Sequence, residues 1–140
     1  MRTDHVIALI ARNRQGAHRF IVGELARRGI EGLAPSHGAI LSTLYAHGPV
    51  SMQQLADRID RDKSTVTALV GRLAERGYVR KRREAADGRK SIVELTGRGR
   101  ALKPDFDAIS RKLIRRAFDG FSRAERERLV RSLSRMLNNW

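Results

Sequence analysis

Cysteine is missing from this chain, and proline and most aromatics are nearly so: three Pro, one Trp and two Tyr in 140 residues. Without a thiol there is no disulfide scaffold, no thiolate nucleophile, no cysteine redox sensor and no Cys-based zinc site. With aromatics at 5%, the core has to be built from Leu, Ile, Val and Ala. The aromatic stacking platforms of the common RNA-binding modules are absent as well. No run approaches the ~20 apolar residues of a membrane span, and the first residues lack an uninterrupted apolar segment, so no membrane contact and a cytoplasmic location are expected. Acidic side chains are also in short supply, 15 Asp+Glu against 29 Lys+Arg, for a net charge of +14. So basic a balance is the electrostatic footprint of a nucleic-acid binder. GC-rich coding is a competing source of abundant Arg, Ala and Gly, so the charge is a prompt and not a proof.

Catalytic chemistry finds no foothold. There is no Gly-rich phosphate loop and no nucleophile–base pair, so no catalytic residue and no cofactor are expected. His5, His18, His37 and His47 never stand at i, i+3 or i+4 from one another, which argues against a metal site.

What is present is helical periodicity in a single domain, 1–140. Val6, Ile7, Ile10, Ala17, Ile21 and Leu25 hold helical spacing between Asp4 and Arg28, with Gly29 to stop them. Pro35 opens a second helix through Ile40, Leu41 and Leu44, halted by Gly48-Pro49. Ser51 with Gln54 fits a capping box ahead of Leu55, Ala56 and Ile59. After a turn near Arg61, Asp62 can cap a fourth helix carrying Val66, Leu69, Val70 and Leu73, ended by Gly77. Asp60 stands in that turn where many such turns have Gly, so its geometry is expected to deviate. The period then shortens: Tyr78–Arg83 and Ser91–Leu95 are β-capable and flank an Asp87-Gly88 turn. Thr96 caps the next helix, with Phe106, Ile109, Leu113 and Ala117 along it, and a Ser122/Glu125 capping box opens the last. The expected order is four helices, a hairpin and two helices. This is a mainly α fold with a small β-hairpin wing (α+β).

Two short consecutive helices followed by a basic hairpin describe a winged helix-turn-helix over residues 35–100, whose second helix lies in the major groove with its first residues toward the bases. That helix begins Lys63-Ser64-Thr65-Val66-Thr67. Ser51, Lys63, Ser64, Thr65 and Thr67 form the expected DNA-facing set, Lys63 on phosphate; Ser64 and Thr65 as mere helix-cap residues are the competing reading. At the wing, Asp87-Gly88-Arg89-Lys90 can deliver one Arg to a narrow minor groove. The competing view is an ordinary turn in which Asp87 supports its own backbone.

Ser64-Thr65-Val66-Thr67 through Leu73, then Gly77, the basic strand, Asp87-x-Arg89 and Leu95-Thr96-x-x-Gly99 together resemble the MarR family of bacterial transcription regulators. The likeness extends over essentially the whole chain. It implies an obligate homodimer on pseudo-palindromic double-stranded DNA, with Ser64, Thr65, Thr67 and Arg72 as readers and Arg89 as the wing-tip contact. It also implies that Asp87 orients the wing or the recognition helix by ion pairing. Lys81 stands where many members carry Arg, and Arg82 or Arg83 beside it are candidates for the missing bidentate contact.

Residues 1–34 and 101–140 are expected to supply N- and C-terminal dimerisation helices, because a small lobe cannot cover their apolar faces. Ile10, Ile21, Leu113, Leu129, Leu133 and Leu137 are the expected contacts across a twofold axis. A repressor relieved by a small anionic aromatic effector is the leading expectation. The alternative is a constitutive or architectural DNA-binding protein of the same fold.

Overall fold

The computed structural model describes residues 2–140. Its elements run α1 (Val6–Arg27), α2 (Pro35–His47), β1 (Val50–Ser51), α3 (Met52–Ile59), α4 (Lys63–Glu75), β2 (Val79–Arg83), β3 (Ser91–Leu95), α5 (Gly97–Ala101), α6 (Lys103–Ala117) and α7 (Arg123–Leu137). This is the expected mainly helical winged helix-turn-helix, with two corrections. A two-residue strand precedes α3, so the hairpin becomes a three-stranded antiparallel sheet in the order β1-β3-β2. The single helix expected after Thr96 is two, α5 and α6, because Pro104 has no N–H to continue the ladder of α5. No helix among the described residues is long and apolar enough to cross a membrane.

The helix ends follow from their caps. Ser51, Asp62, Thr96 and Ser122 each accept the N3 backbone N–H of the helix they open, and Gln54 and Glu125 complete two of the boxes. Ala34 has no side chain to offer α2. The Nδ1 of buried His37 instead accepts the Ala34 N–H at 2.8 Å. Burial, and then the Arg72 charge, hold the His37 pKa below the usual histidine range, which keeps that nitrogen free to accept. At the end of α4, Gly77 (φ +80°) donates to the Ala74 carbonyl while Tyr78 donates to that of Leu73, a left-handed stop that turns the chain into β2. Asp60 sits at φ 53°, ψ 54°, doing with a side chain what glycine does more easily. Asp tolerates the left-handed region better than most residues, so the tight turn between α3 and α4 survives.

Ile40, Leu41, Leu44, Leu55, Val66, Val70, Leu73 and Val93 are wholly buried, so the core lies where α2, α3, α4 and the sheet meet. Leu25, Ile30 and Ile109 extend it toward the long helices. Two polar ties fix α1 to α6: Arg28 donates to Asp105 at 2.9 Å, and buried Glu24 accepts from Lys112 at 3.3 Å and Arg27 at 2.6 Å. Burial pushes the Glu24 pKa up, but the hydrogen bond and charge of Lys112, helped by Arg27, hold it below the usual carboxylate range.

Gly99 explains its place in the Leu95-Thr96-x-x-Gly99 motif. A Cβ there would lie 2.0 Å from the Tyr78 carbonyl oxygen, which is backbone and cannot swing aside. The Gly99 carbonyl in turn accepts the Tyr45 hydroxyl at 2.6 Å. Gly99→Ala is therefore expected to overpack the joint between α2, β2 and α5, costing about 1–3 kcal/mol. Thermal unfolding followed by circular dichroism checks this; an unchanged melting temperature would mean that the joint relaxes freely.

Candidate nucleic-acid interface

The start of α4 is held by Asp62, whose carboxylate accepts the Thr65 N–H at 2.7 Å and the Ser64 hydroxyl at 2.8 Å. Those donors, the Thr65 N–H first, lower the Asp62 pKa. Thr67 donates its hydroxyl to the Lys63 carbonyl at 2.8 Å. The hydrogens of Ser64 and Thr67 are thus engaged within the protein, and what each turns outward is an oxygen lone pair. Thr65 is half-buried against the cap. Asp62 is the cap, with the Ser64 hydroxyl and the Thr65 N–H as its donors, while Ser64, Lys63 and Thr67 stay exposed.

Lys63 and Thr67 face the wing across a cleft of about 440 Å³. Its floor is Ser51, Met52 and Gln53 at the start of α3, and its far wall is Lys81, Arg89, Lys90 and Ser91. Lys63, Lys81, Arg89 and Lys90 line it, and no carboxylate does. A concave site of one sign focuses its field on an incoming polyanion.

Strand alternation decides which basic residues belong to it. Val79 is in the core, so Lys81 and Arg83 share its face while Arg80 and Arg82 take the other. On that other face Glu94 accepts from Arg80 at 2.8 Å and from Arg82 at 3.3 Å. The two guanidiniums, Arg80 first, hold the Glu94 pKa below the usual range. Arg82 therefore does not line the cleft; Lys81 itself does. Arg83 has the right parity, but its guanidinium donates to the Gly88 carbonyl at 2.8 Å. Asp87 makes no ion pair among the described residues, contrary to expectation, and its carboxylate accepts the Arg89 N–H at 3.0 Å. Arg72 also departs from the set. It lies roughly 140° round α4 from Thr67, with its guanidinium beside Gly32 and Arg76.

Met52, Gln53, Lys81, Lys90 and Ser91 were not among the expected site residues. The alternation that places Lys81 is written in the sequence, but its phase becomes visible only once Val79 is known to point inward. A direct check follows. Lys81→Ala is expected to reduce the salt slope of duplex binding by about one, and Arg82→Ala, paired with Glu94, to leave it nearly unchanged. Equal effects in a salt titration would show that the strand faces are not distinguished by DNA.

The interfaces between copies expected at the helical end divide in two. Ile21 packs against the chain's own core and Leu113 is half-buried, so both serve the protomer first. Ile10, Leu129, Leu133 and Leu137 are exposed, at 38, 39, 40 and 71%. Helix α7 buries none of its side chains. No group of His, Asp or Glu able to hold a metal ion occurs among the described residues.

Residues 31–90 match the family model described as the MarR family. The HTH-type transcriptional regulator SarZ of Staphylococcus haemolyticus is 34% identical over 90 residues, 64% of this chain and 60% of that protein. The matches span less than two thirds of the curated relatives, between 60 and 66% of the first three. Among solved structures, a probable transcriptional regulator from Pseudomonas aeruginosa is 28% identical, with a TM-score of 0.83 over 95% of this chain and 97% of that one. BpsR of Bordetella bronchiseptica, whose DNA binding is regulated by 6-hydroxynicotinic acid, is 26% identical, with a TM-score of 0.83 over 95% of this chain and 98% of its own.

Proposed function

We propose that this chain, which matches the MarR family over residues 31–90, is a DNA-binding transcriptional regulator that acts as a homodimeric repressor, its grip on a pseudo-palindromic operator relieved by a small anionic aromatic ligand. The carboxylate-free cleft between the start of α4 and the wing carries the DNA half of this reading. Lys63 and Lys81 meet phosphate, the outward lone pairs of Ser64 and Thr67 meet base-edge donors in the major groove, and Arg89 reaches the adjacent minor groove.

The dimer is supported at the other end of the molecule. α7 carries Leu129, Val130, Leu133 and Leu137 on one exposed face. Between α1 and α6 lies a groove of about 940 Å³ with Leu9, Phe20 and Leu113 on its walls, where a side chain at Gly23 would meet open space. A second copy supplies a matching apolar face for α7, and a twofold axis then presents two recognition helices about one DNA turn apart. A ligand seated between the winged lobe and the long helices alters that spacing, and a differential affinity of about 1–3 kcal/mol for the two spacings is enough to regulate. The effect of 6-hydroxynicotinic acid on BpsR supports an aromatic carboxylate as the class.

Selection of bound duplexes from a random library tests the reading. Inverted half-sites with centres about 10 base pairs apart are expected, with release by a phenolic carboxylate at millimolar concentration. Enrichment of a single unrepeated half-site would overturn the dimeric mode, and indifference to such ligands would leave a constitutive binder.

A further inference from the structure

Arg89 is preceded by Gly88, the residue type with the widest backbone freedom. An unrestrained peptide between them would swing the Arg89 side chain through a broad arc, and a contact at the tip of an exposed loop would then bear the entropy of finding its groove. The peptide is restrained. Its N–H donates to the Asp87 carboxylate at 3.0 Å, and its carbonyl accepts from Arg83 at 2.8 Å. Both groups belong to one planar unit, so the plane is gripped at opposite ends by opposite charges and cannot turn without breaking both bonds. Glu84 N–H to the Lys90 carbonyl (3.0 Å) and Lys90 N–H to that of Asp87 (3.1 Å) close the loop around it. The other strand arginines are unavailable for this task, since Glu94 holds Arg80 and Arg82 on the opposite face.

We propose that Arg83 is a positioning residue for DNA binding: together with Asp87 it locks the Gly88–Arg89 peptide and thereby aims Arg89, without touching DNA itself. The proposal rests on the wing contact argued above. A double-mutant cycle separates aiming from contact. Arg83→Ala is expected to weaken duplex binding about 5- to 10-fold in the parent, less than a lost direct charged contact because Asp87 still holds one end of the peptide, but less than about twofold when Arg89 is already Ala. A Cβ at Gly88 meets no atom within 4 Å, and its backbone is outside the left-handed region, so Gly88→Ala fits. By stiffening the loop it is expected to restore about 2- to 5-fold of the Arg83→Ala loss. In the free protein, the ¹⁵N order parameter of the Arg89 amide should drop on Arg83→Ala from the rigid range near 0.85 toward about 0.6, with the melting temperature unchanged. An equal loss in both backgrounds, with a salt slope lower by about one, would make Arg83 a phosphate contact and overturn the proposal. An Arg89 amide as rigid without Arg83 as with it would overturn it too. If Arg89→Ala alone binds like the parent, the wing contact fails, while the order parameter still decides whether Arg83 holds the peptide.

Discussion

Arg89→Ala is expected to weaken operator binding about 10- to 100-fold while the fold and its melting temperature stay as they are. The magnitude is that of one charged hydrogen-bonding contact, about 1.5–3 kcal/mol, at 1.4 kcal/mol per tenfold. Neither protein stability nor assembly should follow, because the side chain is exposed and its backbone N–H, not its guanidinium, is what the wing uses. Surface substitutions of this sort usually fall within about ±0.5 kcal/mol. Fluorescence anisotropy with a labelled operator, beside a thermal melt, measures both. Parent-like affinity would remove the wing from the DNA contact altogether.

Leu133→Glu, and separately Leu137→Glu, should have the larger effect on the molecule itself. In a lone protomer either change would be nearly silent: both side chains are exposed, and a glutamate on a solvated helix face costs little. Against a second copy the same carboxylate is desolvated without a partner, at several kcal/mol, and twofold symmetry enters the cost twice. Sedimentation at micromolar concentration is expected to find monomer, with a lowered melting temperature and the operator footprint lost. A variant that stays dimeric and melts like the parent would show that this face of α7 is not the interface.

Much of this architecture could be read before any coordinates, and the reasons are local. Capping boxes at Ser51 and Ser122 and the cap at Asp62 are sequence signals with one geometric meaning, and each opens the helix expected of it, while Thr96 caps only the short α5. What escaped was non-local or doubly used. β1 is two residues long, exists only because Val50 and Ser51 pair with Val93 and Ile92, and shares Ser51 with the cap of α3. The apolar spacing of Phe106 and Ile109 does not mark the break between α5 and α6, which falls at Pro104. Ile21 satisfies the pattern of an interface residue and of a core residue equally well; only the packing of α1 against the lobe chooses. At the wing, which arginine is free and which is occupied depended on register, Arg80 opposite Glu94 and Lys81 opposite Val93.

The engagement of Arg80 and Arg82 by Glu94 makes the hairpin electrically lopsided. One side carries uncompensated Lys81, Arg89 and Lys90 toward the cleft, while on the other Glu94 cancels half the charge of Arg80 and Arg82. A duplex approaching from bulk solvent therefore exerts a torque as well as a pull, turning the wing's cationic side inward before any atom touches. Over a Debye length of about 8 Å at physiological ionic strength, the collision is sorted by angle, and face-on encounters outnumber those arriving at the wing's back.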